Sequence, residues 1–480
     1  MIKATQVIFK TRDHYAILLI YLAMIILVFA INMPYPEDDL LRDIVAGDYG
    51  YNYANLYIHA PLMASYNQYI FFDIILHYMS HLIGRIATAH TFQIICMLGY
   101  LVPLLIMSYR LLKARNDRYY LMTLLMILAL NNSALLRIVL ARPEMLYSCW
   151  ILIGLAVKDY ARLKLVWYMG GFLLIPCYWL SFLYVPAIFV VFNSRISKII
   201  LSLLFILATA IFWQWYSNYQ WLPSIFELKL LLKNRIPQIG ENKSIVLLLF
   251  HPLTACALVF YLYLIRDRIG QAISWLMNFK YKPNVRTKLK YGILVNHVIN
   301  YMNRTLFSNS PTAIICLLLA YFTSLHMIRY AAIITGLFVI LFVRELAKSE
   351  QLQINTNLAR SIVLMLVIFM PLQVDCYTSI PKFNLPANSI ALTTNLANYF
   401  VPFTSTAKIK VAPCMEIGAN DRQVQQMLED IDVKGTLDCK QLKKFGFTHV
   451  VEKNLKVVPE CLAIYQIQPG WRVWRVIDTQ

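Results

Sequence analysis

Residues 15–39 read YAILLIYLAMIILVFAINMPYPEDD, an uncharged, mostly apolar run from Tyr15 to Met33 followed by the acids Glu37, Asp38 and Asp39. A helix that crosses the hydrocarbon core of a bilayer needs about 20 mainly apolar residues. This stretch has that length and composition, with three carboxylates at its mouth. The rest of the chain repeats the pattern. Of its 480 residues 59% are hydrophobic and 14% charged, where an ordinary soluble domain is about 25% charged. That balance excludes a water-soluble globule and a disordered chain, and it reads as a polytopic α-helical membrane protein. Further candidate spans are His90–Ser108, Tyr119–Leu136, Met145–Val157, Ile199–Tyr216, Ile245–Ile265, Thr312–Leu325, Tyr330–Phe342 and Ser361–Val374. The run Leu165–Asn193 is too long for one span and contains Pro176 and Pro186. A proline inside a helix removes a hydrogen bond and breaks or kinks it, so the run reads as two shorter helices, out and back. The total is about eleven spans.

Lysine and arginine in short loops mark the cytoplasmic side. With the N-terminus inside, the inner segments hold Lys3, Lys10 and Arg12, then Arg110, Lys113, Arg115 and Arg118, then Lys158, Arg162 and Lys164; the longest, 266–310, is the most basic. The first outer loop, 34–89, holds only Arg42 and Arg85 against Glu37, Asp38, Asp39, Asp43, Asp48 and Asp73. The net charge of +19 is therefore mostly a topology signal, and nucleic-acid binding is a poor reading of it. No small-x-small cleavage site follows the first apolar run, which reads as an uncleaved anchor.

Two domains are expected: a transmembrane catalytic domain over 1–376, with the outer loop 34–89, and a small extracytoplasmic α/β domain over 377–480. The latter carries 12 Lys+Arg and 9 Asp+Glu with soluble patterning. Val424, Met427, Leu428 and Ile431 recur at helical spacing behind Asn420–Asp421, a cap. Thr448–Glu452 and Trp471–Ile477 are rich in β-branched and aromatic residues and read as strands. Of the cysteines, Cys96, Cys149, Cys177, Cys256 and Cys316 fall in apolar runs as small hydrophobes. Cys414, Cys439 and Cys461 lie in the outer domain, where two can pair; the pair expected is Cys414–Cys439. No Walker A loop, HExxH, GxGxxG or CxxC occurs, so a nucleotide-driven motor or a zinc protease has no support.

Four clusters carry chemistry, all on the outer face of this topology. Leu40, Leu41, Ile44 and Val45 make the apolar face of a short helix lying on the membrane, with Glu37, Asp38 and Asp39 at its start, where the helix dipole favours negative charge. Acids at a helix start are common caps, but three exceed what a cap needs. One could act as a general base, and Asp38 with Asp39 could hold Mg2+ or Mn2+ through oxygen ligands. Arg137 and Arg142 could bind a phosphate, whose geometry a guanidinium matches, or snorkel at the interface. Glu144 follows in the first turn behind Pro143. His326-Met-Ile-Arg329-Tyr330 is a tight link between late spans, and an arginine there is costly without an anion. Lys229 and Lys233 lie in the loop 217–244, a lid or a solvated helix face. Together these suit a substrate with a phosphate head and a long apolar tail.

The acidic Glu37-Asp38-Asp39 after the first span, the Arg142-Pro143-Glu144 turn and His326-x-x-Arg329-Tyr330 resemble the GT-C superfamily of integral-membrane glycosyltransferases. Among these the chain looks most like bacterial aminoarabinose and pilin arabinose transferases that use polyprenyl-phosphate sugars. The resemblance implies transfer of a sugar, with inversion, from a polyprenyl phosphate to a protein, glycan or lipid acceptor at the outer face of a bacterial inner membrane. It casts Asp38 or Asp39 as base. It casts Arg329, Arg142 and Arg137, with Tyr330 and His326, as the grip on the departing lipid phosphate. The Trp-Trp-Asp-Tyr-Gly motif of oligosaccharyltransferases is absent, which argues against glycosylation of asparagine sequons. The competing reading is a transporter or flippase for a lipid-linked or anionic substrate. Transporters usually show internal repeats and midplane charges; no repeat is visible and the charges sit at span ends.

Overall fold

The computed structural model describes residues 39–59, 67–114, 118–129, 137–220, 222, 335–337, 339–340, 343–344, 381–394, 397–412, 421–453 and 455–477. The chain divides into two compact units. One gathers Ile25–Gly99, Ile138–Leu231 and Val374–Gln480; the other gathers Met1–Met24, Tyr100–Arg137 and Leu232–Gln373.

Two helices are long and apolar enough to cross a membrane, Arg85–Leu111 with 27 residues and Arg195–Tyr216 with 22. The second presents Ile196, Ile199, Leu203, Leu207, Ile211 and Trp215 outward as an exposed apolar stripe. An eleven-span polytopic bundle is not what the structure shows, because among the described residues these are the two helices that meet the test. The physical reason is length. Pro143–Val157, Ala161–Leu174 and Val185–Val191 contain 15, 14 and 7 residues. At 1.5 Å per residue they reach about 22, 21 and 10 Å, short of a hydrocarbon core of about 30 Å. Pro176 opens a 3-10 turn, Ile175–Cys177, and Pro186 stands in the first turn of Val185–Val191, so the out-and-back run breaks into pieces. The helix Arg118–Ala129 covers the first part of the expected span Tyr119–Leu136, whose residues 130–136 lie outside the described residues. The expected spans Tyr15–Met33, Ile245–Ile265, Thr312–Leu325 and Ser361–Val374, and most of Tyr330–Phe342, lie outside the described residues.

The C-terminal part forms a five-stranded mixed sheet of order β2-β1-β3-β5-β4. Its strands are β1 Ile390–Thr393, β2 Lys410–Ala412, β3 His449–Glu452, β4 Leu462–Gln468 and β5 Trp471–Val476. β1 runs parallel to β2 and β3, while β5 is antiparallel to β3 and β4. The helix Ala397–Thr404 is the crossover between β1 and β2. Pro469 and Gly470 close the β4–β5 hairpin; Gly470 has φ +73°, which a residue with a Cβ resists, and proline before it presets the turn. The helix Arg422–Glu429 starts at Asp421, whose carboxylate accepts from Gln423 N at 2.8 Å. Val424, Met427 and Ile431 point into a core shared with Leu442, Val450 and Trp474. Glu452, fully buried on β3, is matched by Arg472 Nε at 3.0 Å and by the indole N–H of Trp474 at 2.8 Å.

The first loop is built onto this sheet. Tyr57 bridges Val411 in parallel, at the edge β2 leaves open. Tyr49 donates to Ile409 O at 2.8 Å, and Asp421 N donates to His59 O at 2.8 Å.

Cys439 is bonded to Cys461, with Cα atoms 5.9 Å apart. The expected pairing Cys414–Cys439 is therefore replaced by Cys439–Cys461; Cys414 lies outside the described residues. Closing 22 residues removes chain entropy worth about 3 kcal/mol from the unfolded state. Replacing both cysteines by alanine is expected to lower unfolding stability by about that amount, and reducing agent should produce the same loss in wild type and none in the variant. Thermal denaturation of the purified chain reads both.

His449 supplies a pH dependence. Burial, with Arg475 nearby, pushes its imidazole down to about 4. Its Nδ1 meets the Thr448 hydroxyl at 2.9 Å. The unfolded chain then binds a proton that the folded chain refuses, so stability is lost as pH falls from about 6.5 toward about 4. His449→Gln should flatten that part of the stability–pH curve; an unchanged slope would place the titration elsewhere.

Candidate active site

The short helix Asp39–Val45 begins with one acid and carries another at its centre. Its apolar residues Leu40, Leu41, Ile44 and Val45 are fully buried, as the pattern requires, but so are Arg42 and Asp43, at 4% and 0% exposure. The helix is thus enclosed on all sides rather than lying on a surface with one wet face. The helices Ile70–Ile83 and Ala397–Thr404 pack against it.

Burying an arginine requires anions, and Arg42 has two. Its Nη1 lies 3.0 Å from Asp39 Oδ1 and its Nη2 lies 2.8 Å from Asp43 Oδ1. The guanidinium also stacks over Tyr53, 4.5 Å from the ring centre, a favourable cation–π geometry. Asp39 is shared. Its Oδ2 lies 3.5 Å from Arg142 Nε, and its Oδ1 accepts from the Tyr399 hydroxyl at 3.1 Å. Arg142 sits in extended backbone as the residue before the helix Pro143–Val157 and leans at 3.9 Å toward Glu144. Just before it, Ala141 has φ +46°, a left-handed conformation that costs an alanine about 1–2 kcal/mol; this turn aims Arg142 back at Asp39.

Behind this front lies a carboxylate pair. The Tyr53 oxygen is 2.9 Å from Asp43 Oδ1 and 2.6 Å from Asp73 Oδ2, and Asn67 donates to Asp73 at 2.6 Å. One phenolic hydrogen cannot serve both carboxyls, so a second proton must sit on one of them. Asp73 is that group. Burial and the neighbouring Asp43 charge push it well above the carboxylate range. Burial also raises Asp43, to about 7, with Arg42 pulling it back. The assembly therefore runs from a neutral, buried Asp73 through Tyr53, Asp43 and Arg42 to Asp39, where it meets solvent. Asp39 retains 19% of its side-chain surface and Arg142 16%, so these two can touch a substrate and the groups behind them cannot.

No model of a known protein family matches the chain, and no curated protein is significantly similar to it.

Of the residues singled out in the sequence, Asp39, Arg142 and Glu144 are brought together. Arg137 is buried in a single turn ahead of Arg142 and belongs to the other unit. Glu37, Asp38, His326, Arg329, Tyr330, Lys229 and Lys233 lie outside the described residues. Asp39 does not suit Mg2+ or Mn2+: one oxygen faces the Arg42 guanidinium and the Tyr399 hydroxyl, the other Arg142. The sequence reading missed Tyr399, Tyr53, Asn67 and Asp73 as members of the site. Asp73 did carry a signal, a lone acid inside Ile70-Phe-Phe-Asp-Ile-Ile-Leu76. Nothing local marks Tyr399, which is 360 residues from Asp39.

Proposed function

We propose that the chain is a membrane-associated glycosyltransferase that moves a sugar from a polyprenyl phosphate to a hydroxyl or amine acceptor. The observation that carries this reading is Asp39: a carboxylate at a helix start, part-exposed, oriented by Arg42 and Tyr399 and flanked by the part-exposed Arg142. In the reaction, the acceptor oxygen or nitrogen attacks the anomeric carbon from the face opposite the phosphate. Its proton passes to Asp39. The bond from carbon to phosphate oxygen breaks, and the electron pair leaves with the lipid phosphate, whose growing charge Arg142 faces. Preorganised positive charge aimed at a developing anion is usually the largest catalytic contribution. The long apolar helices suit a donor with a hydrocarbon tail, and the Cys439–Cys461 bond suits an oxidising, extracytoplasmic side. The motif likeness to the GT-C superfamily points the same way.

The test is release of lipid phosphate from a panel of synthetic polyprenyl-phosphate sugars by the purified full chain, compared among wild type, Asp39→Asn and Arg142→Ala. Release with no donor, alongside lipid flipping indifferent to both changes, would replace the transferase by a transporter.

A further inference from the structure

A second cluster stands apart from the acid–arginine chain. Past the end of the Asp39–Val45 helix the chain makes a 3-10 turn, Ala46–Tyr49, that carries Asp48. Opposite it, His77 and His81 stand four residues apart on the helix Ile70–Ile83, a spacing that puts both on one face. One ligand atom from each of Asp48, His77 and His81 lies within 4.8 Å of the others. The two imidazoles meet Nε2 to Nε2 at 3.2 Å. Zinc–nitrogen bonds of 2.0–2.1 Å in a tetrahedral site set two nitrogens about 3.3 Å apart, so this pair already has the separation of two ligands on one ion.

The protein alone satisfies this pair poorly. Two facing Nε2 atoms can share one hydrogen at most, and His77 Nδ1 is buried with no partner among the described residues. The surroundings are nonetheless built around the ring. A Cβ on Gly47 would fall 2.3 Å from the His77 ring, so only glycine lets the Asp48 turn close on it. Asp48 is oriented from behind by Arg85 Nη2 at 2.8 Å. Arg85 Nη1 in turn donates to Phe403 O at 2.7 Å and to Ser405 O at 2.9 Å, carbonyls at the end of the helix Ala397–Thr404. A ligand carboxylate held by a fixed outer partner is the usual anatomy of a metal site.

We propose that Asp48, His77 and His81 bind one divalent zinc ion, with the exposed side of His81 leaving a fourth position to water. The ion fastens the Ala46–Tyr49 turn to the helix Ile70–Ile83. Through Arg85 it also braces the helix that supplies Tyr399 to Asp39. The proposal stands on these ligands alone and holds whether or not the chain transfers sugars.

The experiment strips tag-free, purified full-length protein with chelator and titrates it with zinc chloride against a chromophoric competitor. One equivalent is expected to bind. His77→Gln and His81→Gln should each weaken it at least about 10-fold, the loss that even an outer partner of a ligand causes. Cobalt chloride in place of zinc should give the visible bands of a four-coordinate ion in wild type and lose them in both variants. His81 is exposed, so His81→Gln should keep the zinc-free melting temperature of wild type and lose only the rise that zinc produces. No zinc equivalent in wild type, or equal affinity in all three proteins, would overturn the site.

Discussion

Asp39→Asn is expected to lower lipid-phosphate release about 10²- to 10⁴-fold, the usual contribution of a positioned general base. That range corresponds to about 2.7–5.5 kcal/mol of transition-state stabilisation. The amide keeps the size of the carboxylate but cannot take a proton, and it withdraws one negative charge from Arg42 and Arg142. Arg42 retains Asp43 at 2.8 Å, so the fold should survive, and the loss should fall on kcat more than on KM. Arg142→Ala removes the cation nearest the departing phosphate and should cost about 10²–10³ in kcat. The two variants separate by pH: the Asp39 variant loses the acidic limb of the rate profile, where a general base would be protonated, while the Arg142 variant keeps its shape. A decrease of only a few-fold in Asp39→Asn, with unchanged melting, would reduce Asp39 to an anchor for the two arginines.

Arg42→Ala should destabilise the protein by about 3–5 kcal/mol, the cost of breaking a buried ion pair by removing one partner. Asp43 is fully buried, and without the guanidinium its charge has only the Tyr53 hydroxyl. The carboxyl answers by holding a proton, and that sets the pH dependence. In wild type Asp43 is already raised to about 7, against about 3.9 in the unfolded chain. A group raised on folding contributes stability that is full below its unfolded value and is lost as pH rises through its folded one. Stability from Asp43 therefore declines between about 4 and about 7. Without Arg42 the carboxyl holds its proton to higher pH, so the Arg42→Ala deficit should widen above about 7, where wild type has released the proton and the variant has not. Asp73→Asn is the contrasting case. Asp73 is already the proton-bearing member, so a neutral amide removes no charge. But Asp73 Oδ2 meets both Tyr53 and the Asn67 donor, and an amide can satisfy only one of them, so the cost should be that of one lost buried partner, about 1–3 kcal/mol. Melting curves of the three proteins between pH 4 and 8 decide this; a severe loss in Asp73→Asn would mean that the charge sits there instead.

The local features of the C-terminal part were legible. Asp421 caps its helix, Val424, Met427 and Ile431 turn inward, and β3 and β5 lie in the segments rich in valine and tryptophan. Each follows from a pattern within one turn or one strand. The acidic start of the first helix was legible for the same reason. The enclosure of that helix was not, because Leu40, Leu41, Ile44 and Val45 look the same against lipid as against the helix Ala397–Thr404. The span count failed where hydropathy was asked for length: a window average scores an apolar run, while the proline at 176 decides where the hydrogen-bond ladder stops.

By itself the sequence determined the apolar bulk of the chain, the acids Glu37 to Asp39 after its first apolar run, the net charge of +19 and the soluble patterning after residue 377, all of which are sums or periodicities over neighbouring residues. Tertiary structure alone decided which charges face each other. It set Asp39 between Arg42, Arg142 and Tyr399, put one phenol between Asp43 and Asp73, joined Cys439 to Cys461, and brought Asp48 to His77 and His81. Hydropathy acts on a residue wherever it stands, but an ion pair, a shared proton, a disulfide or a metal ligand set exists only at a separation of a few ångströms, and that separation is a property of the packed chain.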